Sequence, residues 1–364
     1  MILRKCDMKT FSEYCRDKRI ACYGIGGEFE RIIKNYDAYA WESRICWLVD
    51  SNPKRVGQAV QVKDKSMTIC SLEQLLDEDL TDTVLFITCL AYAEVVEQLN
   101  RISMLDQVEC FLFHFMFALC EGEPIRIRHT EDMLIPPVIH YCWFGGKEMP
   151  DLYKRCIESW HRHCPDYEIR EWNETNCDIS ETAYTQQAYE AGKYGFVPDY
   201  FRLKIIYENG GIYLDTDVEV LKNPDDLRYN HAFCGIQFPG EAAFGLGFGA
   251  EQGYEVIRSL MQRYRTMNFI NMDGSMNETA SPVFQTQDLF QMGMQYGNSV
   301  QSVNGLTIYP IEVLSPKNVV THELDISKYS YMIHHYDGSW VSGERLKYKK
   351  IREENVKKLQ ELFQ

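Results

Sequence analysis

The stretch Phe196–Val218, FVPDYFRLKIIYENGGIYLDTDV, decides how the second half of the chain folds. It has helical spacing from Pro198 onward, which places Asp199 and Arg202 three residues apart on one face of a helix. The pair Gly210-Gly211 readily adopts a left-handed cap, so the helix is predicted to end there. An acid and an arginine one turn apart can grip a sugar hydroxyl and a phosphate, respectively.

The apolar residues Ile212–Leu214 predict a short buried strand that is followed by two carboxylates, Asp215 and Asp217. Side chains two residues apart on a strand point to the same side, so both acids can reach one hard cation. A cation in this position would bridge two phosphates and stabilise a leaving nucleoside diphosphate. The pattern therefore predicts a site for a divalent cation such as Mn²⁺ or Mg²⁺ that holds the diphosphate of a nucleotide ligand.

Composition limits the function classes that fit. The 364 residues are enough for two domains with separate cores, and 45% hydrophobic with 25% charged residues is typical of globular proteins. A net charge of −15 argues against nucleic acid as a partner, because such proteins need a basic surface. It does not exclude a nucleotide, since one metal ion can offset a diphosphate locally.

The cysteines and the apolar segments indicate a cytoplasmic protein. The chain has 13 cysteines without a CxxC pair, which favours free thiols over zinc sites or a disulfide framework. The N-terminal residues Met1–Thr10 lack the apolar stretch of a signal peptide. The most apolar run, Phe111–Leu119, is too short to span a bilayer and predicts a buried strand or a connecting helix. Peripheral attachment to the inner face of the membrane is compatible with this pattern.

The first 120 residues alternate between strand and helix patterns. Strands are predicted at RIACY (19–23), ICWLV (45–49) and VLFIT (84–88), and helices at 28–35 and 91–101. This order predicts a parallel sheet with crossover helices.

A glycine turn follows the first of these strands. The sequence Gly24-Ile-Gly-Gly27 and the acid Asp50 after the second strand suggest a dinucleotide fold, but Phe29 occupies the place of the third fingerprint glycine. The segment resembles small Rossmann-like modules that accompany some bacterial polysaccharide-biosynthesis enzymes. An NAD-dependent oxidoreductase and a nucleotide-sugar sensor built on this region both remain open, beside a structural role.

A stretch with several prolines separates the two regions. The predicted organisation is a Rossmann-like domain at 1–122, a linker at 123–137 and a catalytic domain at 138–364. In the catalytic domain, a strand at 138–142, a helix at 151–163, a strand at 167–172 and a C-terminal helix at 344–363 are predicted.

Three separated motifs resemble one glycosyltransferase family. The stretch quoted first, the opening IPPVIHYCWFGG (135–146) and the closing IHHYDGSW (333–340) occur in the order found in the Och1-like, sugar-binding-region family. That family includes bacterial capsular polysaccharide enzymes, and large clostridial glucosylating toxins share its core more distantly. The resemblance covers about residues 135–342. It implies an α/β nucleotide-sugar-binding domain of the GT-A type and a reaction that retains the anomeric configuration.

The resemblance also implies a role for each matching residue. Asp199 would bond donor sugar hydroxyls, Arg202 would hold the sugar or the diphosphate, and Tyr213 would line the nucleotide pocket. The catalytic set is Asp199, Arg202, Asp215 and Asp217, and the two aromatic contacts are Trp143 at the base and Trp340 over the diphosphate. One of His334, His335 and Asp337 would complete the metal shell, and the predicted ligand set is Asp215, Asp217, His335 and Asp337.

Structural interpretations compete with these roles. Asp199–Arg202 also fits a surface ion pair, and Trp143 and Trp340 also fit core aromatics. His140 is expected to be a packed histidine near the site. Contacts to the acceptor are predicted from Ser281, Pro282, Gln285 and Asp288.

The sequence thus predicts a hexosyltransferase of bacterial surface polysaccharide synthesis. Its partners would be a nucleotide-sugar, with UDP-sugars preferred over GDP-mannose, and a glycan or lipid-linked saccharide acceptor. The donor sugar and the linkage cannot be read from these residues, because epimers differ by the direction of a single hydroxyl.

Overall fold

The computed structural model describes residues 1–35, 40–89, 91–116, 125–238, 240–295, 297–318 and 322–338, together with 354, 356 and 359. The chain divides into two compact units, Met1–Leu119 with Leu346–Gln364, and Cys120–Arg345. This division differs from the predicted organisation, which assigned the C-terminal segment to the catalytic domain. Of the described residues in that segment, Val356 and Leu359 are buried.

The first unit alternates strands and helices. Its strands are β1 (Ile2–Arg4), β2 (Arg19–Tyr23), β3 (Ile45–Val49), β4 (Ala59–Val62), β5 (Lys65–Cys70), β6 (Thr83–Ile87) and β7 (Glu109–Leu112). Its helices are α1 (Met8–Tyr14), α2 (Gly27–Asn35), α3 (Leu72–Leu76) and α4 (Tyr92–Leu99).

These strands form one sheet in the order β1-β7-β6-β2-β3-β5-β4. All neighbouring pairs are parallel except β4 with β5. From β5 to β7 the order matches the 3-2-1-4-5 arrangement of a doubly wound fold. Strands β2 and β6 are buried along nearly their whole length, as expected for the centre of a parallel sheet.

The turn after β2 is built for close packing. Gly24 has φ +92°, and a Cβ there would lie 2.5 Å from the Cβ of Cys89. The Asp50 carboxylate accepts hydrogen bonds from the backbone N–H groups of Ile25 at 3.0 Å and Asn52 at 2.9 Å. Phe29 is buried in the core. The acid that would hold a ribose in a dinucleotide site therefore contacts the protein's own backbone here.

The second unit is a mixed α/β structure. Its strands are β8 (Val138–Cys142), β9 (Glu168–Trp172), β10 (Gly211–Tyr213), β11 (Val218–Val220), β12 (Ala232–Gln237), β13 (Glu241–Ala243), β14 (Phe248–Ala250), β15 (Gln301–Val303), β16 (Leu306–Tyr309) and β17 (Met332–His334). Its helices are α5 (Asp151–His163), α6 (Ala183–Glu190), α7 (Pro198–Asn209), α8 (Glu255–Thr266), α9 (Ser281–Gln291) and α10 (Ile311–Leu314). The prediction of an α/β fold with parallel-rich sheets is confirmed.

The main sheet of this unit has the order β15-β16-β12-β14-β10-β8-β9, with β13 beside β12. Strands β8, β9 and β10 run parallel, whereas β14 is antiparallel to both β10 and β12. A separate antiparallel pair joins β11 to β17 and sets Val218 opposite His334. This pairing brings the closing motif next to the acids that follow β10.

Helix α7 is buried on nearly every side. Pro198 begins it, which costs no hydrogen bond at the first helical position, and Gly210 ends it at φ 67°. Its buried side chains include the charged pair Asp199 and Arg202. A helix surrounded by core can carry charges only if they pair with one another, and these two do.

A histidine fixes the junction between α7 and β10. The Trp172 indole N–H donates to Nδ1 of His140 at 3.1 Å, so the ring proton is on Nε2 and donates to the Gly210 carbonyl at 3.1 Å. Burial lowers the pKa of His140 to about 4, which keeps the ring neutral near pH 7. The prediction of a packed histidine agrees with this geometry.

Among the described helices, none has the length and apolarity needed to cross a bilayer.

Gly211 tests how tightly this junction is packed. Its φ is +102°, and a Cβ would lie 2.8 Å from the Val138 carbonyl oxygen. Gly253 has φ +77° with open space around it, so it isolates the backbone penalty. We expect Gly253→Ala to lower the free energy of unfolding by about 1 kcal/mol, and Gly211→Ala to cost roughly 1–3 kcal/mol more. Urea unfolding of both variants measures the difference, and equal losses would contradict the close packing.

Candidate active site

Arg202 lies between two acids, Asp199 on its own helix α7 and Asp215 after β10. Its Nη2 donates to Oδ1 of Asp199 at 3.0 Å and is 3.3 Å from Oδ1 of Asp215. Its Nε donates to the Pro198 carbonyl at 3.3 Å, and its guanidinium lies 5.5 Å from the centre of the Tyr213 ring. Asp199 and Arg202 are each only 5% exposed, which rules out the alternative of a surface ion pair.

The charges in this group shift one another's pKa values. Burial raises the pKa of Asp199 to about 6, even though Arg202 beside it lowers it. Burial also raises the pKa of Asp215, but Arg202 and His334 outweigh burial and hold that pKa below its ordinary value. For Arg202, burial lowers the pKa and the two carboxylates raise it by more, so the guanidinium stays charged. The group therefore carries two anions and one cation near neutral pH.

Asp215, Asp217 and His334 form the candidate metal centre. Each offers one ligand atom, and these atoms lie within 4.8 Å of one another. Nε2 of His334 is 3.3 Å from Oδ1 of Asp217 and 3.9 Å from Oδ2 of Asp215. Two carboxylates and an imidazole converging at this spacing fit a divalent cation.

The structure places His334, and not the predicted His335, beside the two acids. The His335 ring bonds to Glu219 at 2.9 Å, and only its backbone N–H turns toward the site, donating to the Asp217 carbonyl at 3.0 Å. Neighbouring residues of an extended segment point to opposite faces, and the pairing of His334 with Val218 decides which ring faces Asp217.

His334 has a defined proton position. The backbone N–H of Tyr336 donates to its Nδ1 at 3.2 Å, so in this arrangement Nε2 carries the ring proton toward the carboxylates. A cation bound at Nε2 would displace that proton, because a metal takes the neutral ring's lone pair.

Asp337 meets the site through its backbone. Its N–H donates to Oδ2 of Asp217 at 3.0 Å, whereas its own carboxylate accepts from the Tyr153 hydroxyl at 2.7 Å. It therefore orients Asp217 and does not offer a carboxylate to the group of ligand atoms described above.

Trp143 donates from its indole N–H to the Lys147 carbonyl at 2.8 Å and lies edge-on to the Tyr153 ring. Trp340 lies outside the described residues.

The backbone of the loop before β14 approaches Asp215 closely at Gly245. A Cβ at Gly245 would lie 2.4 Å from Oδ2 of Asp215 and 3.1 Å from Nη1 of Arg202, so a larger residue could not fit without moving them. The Asp215 N–H donates to the Gly245 carbonyl at 3.4 Å. The structure therefore places the Gly245 backbone against Asp215 and Arg202.

Other polar residues around Asp199 were not foreseen as contacts to it. The Tyr184 hydroxyl donates to Oδ2 of Asp199 at 3.4 Å, and the Ser281 hydroxyl also bonds to that carboxylate. Ser281 was predicted as an acceptor contact, and Tyr184 gave no sequence signal because it lies outside the quoted motifs. Asp288, also predicted as an acceptor contact, accepts a hydrogen bond from Nε of Arg263 at 2.8 Å.

Comparison with known proteins places a family motif over this site. Residues 150–234 match a family model described as a glycosyltransferase sugar-binding region containing a DXD motif. That range contains Asp199, Arg202, Asp215 and Asp217. Over 115 residues the chain is 30% identical to an initiation-specific alpha-1,6-mannosyltransferase of Candida albicans, covering 29% of this chain and 30% of that protein. The chain therefore matches less than a third of that relative's length. Both findings support a transferase.

Two solved structures show only remote similarity. A PaToxG glycosyltransferase matches with 20% identity over 43% of this chain and 69% of its own, at a TM-score of 0.33. A glycosyltransferase involved in glycosylation of the major capsid of PBCV-1 matches with 12% identity over 61% of this chain and 100% of its own, at a TM-score of 0.34. Scores this low do not establish a shared fold.

Paired variants test which histidine binds the metal. We expect His334→Gln to weaken Mn²⁺ binding by about tenfold or more, because it removes a ring that faces both acids. We expect His335→Gln to change the affinity by less than about threefold, since its ring bonds to Glu219. Calorimetric titration of the full chain with Mn²⁺ alone measures both. A larger loss for His335→Gln would reverse the assignment.

Proposed function

We propose that the protein is a metal-dependent glycosyltransferase that moves a hexose from a nucleotide-sugar to a glycan or lipid-linked acceptor. The observation that supports this proposal most strongly is that Asp215, Asp217 and His334 converge beside the buried Arg202–Asp199 pair. All of these except His334 lie within the segment that matches the DXD family model. Catalysis is assigned to the second unit, with residues 1–122 as a Rossmann-like accessory domain and 123–137 as a linker.

Asp215, Asp217 and His334 would hold Mn²⁺ or Mg²⁺. A cation there would supply positive charge to the diphosphate as it leaves. Asp337 contributes by fixing one oxygen of Asp217 through its backbone N–H, which leaves the other oxygen directed toward His334. Such support keeps ligand atoms in place before the substrate binds.

Asp199 and Arg202 would bind the donor sugar. With a pKa of about 6, Asp199 is ionised near neutral pH and accepts hydrogen bonds from sugar hydroxyls. Arg202 keeps its charge and holds Asp199 and Asp215 in a fixed relation, so that sugar and diphosphate sites stay aligned. Tyr213, whose ring centre is 5.5 Å from the guanidinium, would line this part of the pocket.

The proposed reaction retains the anomeric configuration. In a front-face mechanism the acceptor hydroxyl attacks the anomeric carbon on the face from which the diphosphate departs. The bond from that carbon to the phosphate oxygen breaks, the bond to the acceptor oxygen forms, and the acceptor proton passes to the departing phosphate oxygen. No covalent enzyme intermediate is required in this sequence.

The donor and acceptor belong to the same proposal. UDP-sugars are the preferred donors, and a bacterial surface polysaccharide assembled in the cytoplasm or at the inner membrane face is the proposed acceptor. The relative's name specifies mannosyl transfer, so GDP-mannose is tested beside the UDP-sugars. An oxidoreductase or sensor based on the first unit is the alternative, favoured by its strand order but weakened by the engagement of Asp50 with the backbone.

Donor hydrolysis tests the proposal without knowledge of the acceptor. We expect one nucleotide-sugar in a panel of UDP- and GDP-sugars to be hydrolysed slowly in the presence of Mn²⁺. Asp217→Asn should reduce that rate on the order of 10²–10³-fold, because a metal ligand is lost. Release of the nucleoside diphosphate is the readout.

Glu219→Gln is the matched control. Glu219 lies two residues after Asp217 and bonds to His335, outside the metal group, so this variant should keep its activity. Absence of donor turnover and of metal-dependent donor binding in the unmodified protein would contradict the proposed function.

A further inference from the structure

Two buried hydrogen-bond donors near Asp199 lack partners among the residues that the structure describes. They are the hydroxyl of Tyr264 on α8 and the amide Nε2 of Gln285 on α9. Both residues are only 1% exposed. Buried polar groups are nearly always hydrogen-bonded in folded proteins, so an unpaired pair beside a candidate site requires an explanation.

Tyr264 lies beside the Asp199–Arg202 pair. Its ring centre is 5.1 Å from that of Tyr184, whose hydroxyl donates to Asp199. The charges of Asp199 and Arg202 both act on the Tyr264 hydroxyl. The Tyr264 ring is packed in the core, and its buried hydroxyl has no hydrogen-bond partner among the described residues.

Gln285 reaches the same region from another helix. Ser281 and Gln285 are four residues apart on α9, which puts them on one face, and the Ser281 hydroxyl bonds to Asp199. The amide oxygen of Gln285 accepts from the Phe244 N–H at 3.4 Å. Phe244 precedes Gly245, which contacts Asp215 and Arg202. This bond holds the amide in one orientation and leaves its N–H group for another acceptor.

Together these groups have the mixed polarity of a carbohydrate site. Asp199 accepts hydrogen bonds, the Gln285 amide donates, and the Tyr264 hydroxyl can do both. A sugar hydroxyl also donates and accepts, so a polyhydroxylated ring matches this combination better than a phosphate does, which only accepts at full charge.

We propose that Tyr264 and Gln285 extend the donor-sugar subsite beyond Asp199 and Arg202, and bond oxygens of the sugar ring directly or through one bound water. The inference rests on the proposed function, because it concerns the sugar of the same donor. It adds two binding residues to the acid–arginine pair, and assigns Gln285 to the donor instead of the acceptor.

Tyr264→Phe tests the proposal with the smallest change. Because the hydroxyl has no partner among the residues that the structure describes, its removal should leave the melting temperature unchanged or raise it. In the presence of Mn²⁺, the affinity for the intact nucleotide-sugar that the hydrolysis panel identifies as donor should fall about threefold to tenfold. This is the effect of one lost hydrogen bond. The affinity for UDP or GDP, which lack the donor hexose, should change by less than about twofold.

Gln285→Met should also weaken binding of the nucleotide-sugar to the full chain, because it keeps the length of the side chain and removes the amide. Its melting temperature should fall, since the Phe244 N–H loses its acceptor. Gln287→Met is the matched control, since Gln287 is exposed on the same helix. Calorimetry with UDP-glucose, GDP-mannose, UDP and GDP gives all the affinities.

Three results would overturn the subsite. A clear fall in the melting temperature of Tyr264→Phe would mean that the hydroxyl has a structural partner. Unchanged affinity for the nucleotide-sugar in both variants would remove the subsite and leave the transferase proposal intact. Failure of the unmodified protein to bind any nucleotide-sugar would remove both.

Discussion

The buried ion pairs of Arg202 are the interaction on which the site depends. A guanidinium removed from water costs several kcal/mol unless opposite charges and hydrogen bonds surround it. Asp199 on the same helix and Asp215 after β10 supply those charges, and the Pro198 carbonyl accepts a further hydrogen bond. The helix and the strand end are thereby locked to each other. The same contact that stabilises this junction also sets the distance between the proposed sugar and metal positions.

Close backbone packing makes this arrangement possible. Gly245 allows the loop before β14 to approach the carboxylate of Asp215, where a Cβ would collide with it. Gly211 allows β10 to lie against β8, and His140 holds the preceding turn through the Gly210 carbonyl. Gly211 and Gly245 have no room for a side chain, so the backbone at both positions can approach its neighbours closely. Together with the neutral His140, they bring the charged groups together. Asp215 and Asp217 lie in the short connection between β10 and β11, where hydrogen bonds from backbone N–H groups and the contact with Arg202 favour precise metal and substrate positions.

Much of the fold followed from local patterns. The predicted strands at 19–23, 45–49 and 138–142 and the helix at 151–163 have the observed bounds, because apolar runs between turn residues and an amphipathic helix are strong local signals. The strand at 84–88 begins and ends one residue earlier. The apolar run Phe111–Leu119, predicted as a buried strand or a connecting helix, begins with the buried end of strand β7. Most of the predicted C-terminal helix lies outside the described residues.

The site was only partly legible from the sequence. Asp199, Arg202, Asp215 and Asp217 stand in one continuous stretch, so helix spacing and the short distance along the chain predicted that they lie close together. The predicted strand spacing of Asp215 and Asp217 is wrong, because both residues lie in the turn between β10 and β11. The choice between His334 and His335 did not, because it depends on the register of β17 against β11, two short strands more than a hundred residues apart. Tyr184 and Tyr264 reach Asp199 only through the packing of α6 and α8 around α7, which leaves no local pattern.

Unfolding of a double variant at Arg202 and Asp199 tests whether Arg202 balances the buried carboxylates. If Arg202 balances the buried carboxylates, Arg202→Met should destabilise the protein by about 3–5 kcal/mol, because it leaves a buried charge unpaired. Adding Asp199→Asn removes that charge and should restore part of the loss, by roughly 1–3 kcal/mol. Urea unfolding of the two single variants and the double variant measures this coupling. A double variant as unstable as the sum of the single variants would show that the two charges do not depend on each other, and the account would be wrong.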